Sequence, residues 1–277
     1  MTTRTVHRLI KSIPASDGAG VKLQRSLGQS NFARLDPFLM LDEFSSDDAA
    51  DYIAGFPAHP HRGFETVTYI LDGHMLHEDH LGNKGNLKSG GVQWMTAGRG
   101  IIHSEMPQQE NGRMRGFQLW INLPAKEKMK PAGYRDIQAE EIPSASFPGG
   151  SVKVIAGKFG DTSGPVQGGT TDPVYWDVTL KANETFTQEI KDKVVYVYPF
   201  EGSVEIEDRP LKTHQGGVLG SGDTVKVKAG ADGARFLVLA AKPIKEPVVQ
   251  YGPFVMNTRE EIEQAIRDYQ NGELTAV

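Results

Sequence analysis

The sequence predicts an all-β protein, two tandem β-barrels followed by a short C-terminal helix. Three observations carry this. Short β-rich runs recur between turn signals, a weak repeat relates the two halves of the chain, and one amphipathic helix stands near the end.

The chain has 277 residues, enough for one large or two medium domains. Glycine occurs 31 times and proline 16 times, turn chemistry that favours strands over long helices. The runs 66–71, 116–122, 152–156, 175–180, 193–198, 224–228 and 235–240 are rich in β-branched and aromatic residues. Their spacing suits a sandwich or barrel and not βαβ units.

The run from Tyr69 to Asp79 reads against the run from Tyr198 to Asp208, an offset of 129 residues. Tyr, Gly, Glu and Asp coincide, and Gly-Gly-Val follows in each half, at 90–92 and 216–218. A duplicated all-β domain accounts for this. The Pro-, Ser- and Gly-rich stretch 142–150 is the expected linker, which gives a first domain of 1–140 and a second of 141–277.

The helix is expected at about 258–270. Thr258 and Glu261 are spaced as a capping box, each side chain satisfying a free backbone N–H. Ile262, Ala265, Ile266 and Tyr269 then form one apolar face, and Asn271-Gly272 ends it. Packing against a barrel is its expected role.

Net charge is −5, from 30 basic and 35 acidic residues, so a general nucleic-acid binder has no support. There is no cysteine, which excludes disulfides and thiolate metal sites. The first sixteen residues lack the apolar run of a signal peptide, and no stretch approaches the ~18–20 apolar residues of a membrane span. The cytoplasm is the expected location, without membrane association.

Seven of the eight histidines precede residue 104, and the second half keeps only His214. His59-Pro60-His61 is spaced i, i+2, so in a strand both imidazoles face one way. Pro60 confines that strand to an edge or a strand start. His103-Ser104-Glu105 repeats the spacing with an imidazole and a carboxylate. Two such pairs on neighbouring strands can converge on one divalent transition metal, with iron, manganese, nickel, copper and zinc all suited to the donors. A single His-x-His is more readily a surface pair; the matched pairs leave a metal and a surface reading both open.

His74, His77 and His80 form another cluster, read as exposed polar residues of a hairpin and only weakly as a second metal site. The Gly-rich run 82–91 lacks the Gly-Lys-Ser/Thr ending of a phosphate loop and is read as the hairpin loop. No Gly-x-Ser-x-Gly elbow supports hydrolase chemistry.

Two long segments then carry a family resemblance. Phe56-Pro-Ala-His-Pro-His-Arg-Gly-Phe-Glu-Thr-Val-Thr-Tyr69 and Gln93-Trp-Met-Thr-Ala-Gly-Arg-Gly-Ile-Ile-His-Ser-Glu-Met-Pro107 resemble the signature of the pirin family of bicupins. The runs 38–44, 118–124 and 252–257 resemble it too, so the likeness spans nearly the whole chain. It implies two cupin (jelly-roll) barrels, with a metal in the N-terminal one only. It implies His59, His61, His103 and Glu105 as the metal ligands, with iron(II) the first choice of ion. The general cupin pattern instead places a carboxylate after the His-x-His, where Glu65 stands. Alternation puts Glu65 on the face of His59 and His61, so Glu65 is a rival to Glu105. The 129-residue offset carries His59, His61 and Glu65 onto Gln188, Ile190 and Val194, none of which is a histidine or a carboxylate.

Pirins are similar to quercetinases, so the resemblance implies a metal-dependent dioxygenase of the quercetin 2,3-dioxygenase type, an oxidoreductase that opens a flavonol with O₂. Its partners would be a small aromatic, flavonol-like substrate and O₂, with Glu105 as a candidate base. Phe56, Trp94, Met95, Gln118 and Trp120 are candidates for lining its cavity, although core packing accounts equally well for each singly. The alternative is a metal-sensing regulatory protein that acts through a protein partner without turnover.

Overall fold

The computed structural model describes residues 2–109 and 112–276. Among these residues the chain is dominated by antiparallel strands, and every β-rich run picked out above lies within or against a strand. The runs 224–228 and 235–240 belong to one long strand, Thr224–Ala241.

Two compact units form. One comprises the N-terminal residues up to Ile13, Gln29–Leu35 and Glu140–Pro243; the other comprises Pro14–Gly28, Asp36–Ala139 and the C-terminal residues from Ile244. Both units are discontinuous in sequence, because segments from the two chain ends join them. The strand Val6–Lys11 pairs with Gln215–Leu219 in the later unit. The C-terminal segment packs on the earlier one, where Ile262, Ala265 and Leu274 bury against Phe254 and Met256, with Ile102 alongside. An apolar helix face finds its partner by burial, which sequence order does not dictate.

The later unit is a nine-stranded sheet in which Val194–Ile206 and Thr224–Ala241 are central neighbours. Its interior is filled by Trp176, Phe186, Phe236 and a bed of valines. Each such large side chain contributes about 1.5–3 kcal/mol on burial. Ile190, one of the ligand equivalents, is part of that packing. The expected linker is not a loop: Ser144–Phe147 pairs with Gly150–Ala156 as an edge hairpin, its Gly149 turning at φ +89°.

The earlier unit faces two sheets together. One has the order Phe56–His61, Ile101–Pro107, His74–Asp79, Lys84–Lys88. The other runs Gly133–Ile137, Val92–Thr96, Phe64–Asp72, Met114–Asn122, Phe38–Ser46, Val21–Arg25, Ile13–Asp17. Part of the run 82–91 is therefore strand, because Leu87 buries fully while Lys84, Asn86 and Lys88 stay out, the alternation of a half-buried strand.

The C-terminal helix is Arg259–Gln270, and both halves of the capping box at Thr258 and Glu261 are made. No helix among the described residues is long and apolar enough to cross a membrane.

Candidate metal centre

Phe56–His61 is the edge strand of the four-stranded sheet, where Pro60 lacks only a hydrogen bond that an edge does not need. It pairs antiparallel with Ile101–Pro107, setting His103 opposite His59 and Ile101 opposite His61. Opposed residues share a face, so three imidazoles gather. One ring nitrogen from each of His59, His61 and His103 lies within 4.8 Å of the other two, an arrangement able to hold a metal ion.

The proton positions favour donor nitrogens. His59 Nδ1 lies 2.8 Å from the Pro57 carbonyl, which can only accept, so Nδ1 carries a hydrogen and Nε2 is the nitrogen that can offer a lone pair. His59 Nε2 and His61 Nε2 stand 3.0 Å apart, a separation that one shared proton or one shared cation accounts for. His103 Nε2 is buried without a hydrogen-bond partner among the described residues. An orphaned buried nitrogen of this kind needs a partner, a role that a metal ion fills. Burial pushes the His61 ring well below the ordinary imidazole range, and the charge of His59 adds to the effect. Burial does the same for His103, aided by His61, His59 and His77. Both rings are therefore neutral at pH 7, the state a metal requires. The donor set fits a divalent cation of the nitrogen- and oxygen-preferring kind.

Glu105 follows His103 by two residues on the same strand and points to the same face. Its Oε1 accepts from the Thr68 hydroxyl at 2.8 Å and its Oε2 from the Gln118 amide at 2.9 Å. Both donors belong to the facing seven-stranded sheet, so Glu105 spans the interior. Its oxygens fall outside the 4.8 Å nitrogen group.

Glu65 goes elsewhere. Its carboxylate accepts from Trp94 Nε1 at 3.2 Å and the Thr96 hydroxyl at 2.7 Å, with Lys130 Nζ at 3.5 Å. The alternation that put it with His59 and His61 is broken at Gly63. That residue has φ +91°, and a Cβ there would lie 2.0 Å from the Val255 carbonyl. The chain turns, a new strand begins at Phe64, and Phe64 and Thr68 face the imidazoles and Glu105 while Glu65 faces away.

Of the expected cavity residues, Trp120 packs 5.2 Å from the His61 ring and Gln118 holds Glu105. Met95 joins Ala97 and Ile101 in core packing, Phe56 packs against a separate apolar cluster, and Trp94 lies with Glu65.

His77 corrects the reading of the second histidine cluster as exposed. His74 and His80 do reach solvent, but His77 is fully buried. Its ring stacks on Tyr134 at 4.2 Å, and its Nδ1 lies 3.3 Å from His103 Nδ1. The signal was the alternation Met75, His77, Asp79, which places His77 on the side of a buried methionine.

Comparison with known proteins follows the same lines. The Pirin family profile matches residues 20–121, and that of the Pirin C-terminal cupin domain matches 175–275. A Pseudomonas aeruginosa protein named as a candidate quercetin 2,3-dioxygenase is 55% identical, the alignment covering 98% of each chain. Human pirin is 41% identical over 98% of this chain and 93% of its own. A crystal structure of a quercetin 2,3-dioxygenase from Acinetobacter baumannii superposes with a TM-score of 0.89 at 33% identity, covering 99% of each chain. The fold is thus the bicupin fold, and the chain belongs to the pirin family.

Proposed function

We propose that this chain is a metal-dependent dioxygenase acting on a flavonol such as quercetin, with ring opening by O₂. His59, His61, His103 and Glu105 hold the ion, and iron(II) is the preferred one. The observation that carries the reading is the convergence of three imidazole nitrogens, one of them orphaned in the interior, beside a carboxylate on the same face.

When bound, a divalent ion supplies Lewis acidity toward adjacent hydroxyl and ketone oxygens of a flavonol, and a redox-active one supplies electrons to O₂. The remaining work falls to the chain. Glu105, held by single hydrogen bonds at each oxygen, keeps lone pairs free for the ion or for the flavonol hydroxyl proton. Thr68 and Gln118 fix its orientation, and Trp120 Nε1 donates to Gln118 Oε1 at 3.2 Å, so the amide cannot turn freely. Phe64 and Trp120, 4.3 Å apart, wall the His61 side with apolar surface suited to a flat aromatic. His59 is the half-buried member of the three and marks the open side.

The second reading is a metal-binding regulatory protein without turnover. It draws on human pirin, whose name carries no reaction. Iron-loaded protein incubated with quercetin separates the two. Matched loss of O₂ and of flavonol absorbance, abolished in Glu105→Ala, is expected for the enzyme. One bound iron per chain with neither loss across a panel of flavonols favours the regulatory reading.

A further inference from the structure

The geometry points to His77 and Asp79 as positioning residues that fix which nitrogen of His103 is free to bind a metal. This rests on the reading of His103 as a ligand.

The chain of contacts starts at Asp79. Its Oδ1 accepts from the backbone N–H groups of Leu81 at 2.9 Å and Asn83 at 3.1 Å, and its Oδ2 from the Asn83 amide at 2.8 Å. The carboxylate is thereby locked. His77 Nε2 lies 3.3 Å from Oδ2, and both side chains are fully buried. An ionised carboxylate only accepts, so His77 Nε2 carries the hydrogen. The other ring nitrogen, His77 Nδ1, faces the Gln93 amide nitrogen at 2.9 Å, which only donates, so Nδ1 is the accepting one. His103 Nδ1, 3.3 Å from His77 Nδ1, must then supply a hydrogen as well. With its hydrogen on Nδ1, His103 keeps its lone pair on Nε2, the buried nitrogen without a partner.

The strands make this arrangement unavoidable. His74–Asp79 pairs with Ile101–Pro107 so that Asp79 opposes His103 and His77 opposes Glu105. Tyr134, stacked on His77 with an interplanar angle of 12°, prevents the ring from turning. Partners of this type orient a ligating imidazole, and their loss typically lowers metal affinity about 10–100-fold.

Asp79→Asn is the sharpest probe. The two backbone N–H groups still need an oxygen at Oδ1, so the amide nitrogen takes the Oδ2 position, the Asn83 amide turns to offer it an oxygen, and it donates to His77 Nε2. His77 then carries its hydrogen on Nδ1, and His103 is driven to the wrong tautomer. His77→Leu removes the acceptor, whereas His77→Gln replaces it with an amide oxygen.

The experiment titrates metal-free full-length protein with cobalt(II) against a competing chelator, reading visible absorption, with thermal melts of the metal-free variants as the folding control. Wild type binding cobalt while His103→Ala does not establishes the underlying site; failure of that pair overturns the metal reading itself. Given that pair, affinity lowered about 10–100-fold in Asp79→Asn and His77→Leu, and within about threefold of wild type in His77→Gln, is the expected result. Wild-type affinity in Asp79→Asn overturns the proposal, as does an equal loss in His77→Gln and His77→Leu. Should His77→Leu melt early, Asp79→Asn alone decides.

Discussion

Arg62 Nη1 lies 2.6 Å from Asp268 Oδ2, so the residue that follows the His-Pro-His run is gripped by the C-terminal helix. The same guanidinium donates to the carbonyls of Arg99 and Leu274. Its backbone continues the grip, with Val255 N–H donating to the Arg62 carbonyl at 3.0 Å. The edge strand that carries His59 and His61 is thus anchored by residues 255–274.

Asp268→Ala should therefore cost about 2–3 kcal/mol, since it leaves a buried guanidinium short of its counter-charge while two carbonyl contacts remain. Urea denaturation reads this as a lower midpoint at unchanged slope. The pH dependence has a definite sign. Burial pushes the Asp268 carboxyl up, but hydrogen bonds from Arg62 and Gln264 and the charges of Arg62 and Arg267 outweigh it and hold it below its usual range. Its folded pKa is depressed, so its contribution is present above the ordinary carboxylate range and lost as pH falls through the lower folded value. The gap between wild type and Asp268→Ala should close on acidification.

Lys128 is only 1% exposed and donates to the Gly63 carbonyl, Asn122 Oδ1 and the Val255 carbonyl at 2.7, 2.6 and 2.9 Å. Lys128→Met leaves three buried acceptors unpaired and should cost about 3 kcal/mol. Burial lowers the ammonium pKa to about 8, against the opposing pull of Glu246 and Glu261. Between that value and the unfolded one of about 10.4, the unfolded chain binds more protons. The Lys128 contribution should grow with pH in this window, so the midpoint gap to Lys128→Met widens between pH 8 and pH 10. A gap that narrows would contradict the assignment.

Thr68→Val keeps the shape of a buried strand residue and removes one of the two donors that orient Glu105. Stability should move by less than about 1 kcal/mol while cobalt(II) affinity falls about tenfold. Competition titration beside a thermal melt separates the two effects.

The strands and the helix were legible because each rests on local periodicity, as at Thr258 to Tyr269. His59 and His61 were legible because i, i+2 spacing survives inside a single strand, and His103 because the same spacing to Glu105 recurs in a second one. The alternation that made Glu65 a rival to Glu105 fails because one glycine, Gly63, reverses it, and its need arises from Val255, nearly two hundred residues away. His77 was misjudged because its neighbours His74 and His80 reach solvent, and only the pairing with Ile101–Pro107 brings it to His103. The attachment of the C-terminal segment was hidden for the same reason: the partners of Arg62 and Lys128 lie far along the chain.

Metal content of wild type, His61→Ala, Glu65→Gln and Glu105→Gln, each purified under iron(II) and measured by elemental analysis, tests the account most directly. It predicts one ion per chain in wild type and Glu65→Gln, and substoichiometric metal in His61→Ala and Glu105→Gln. Full occupancy in His61→Ala, or loss in Glu65→Gln with Glu105→Gln intact, would contradict it.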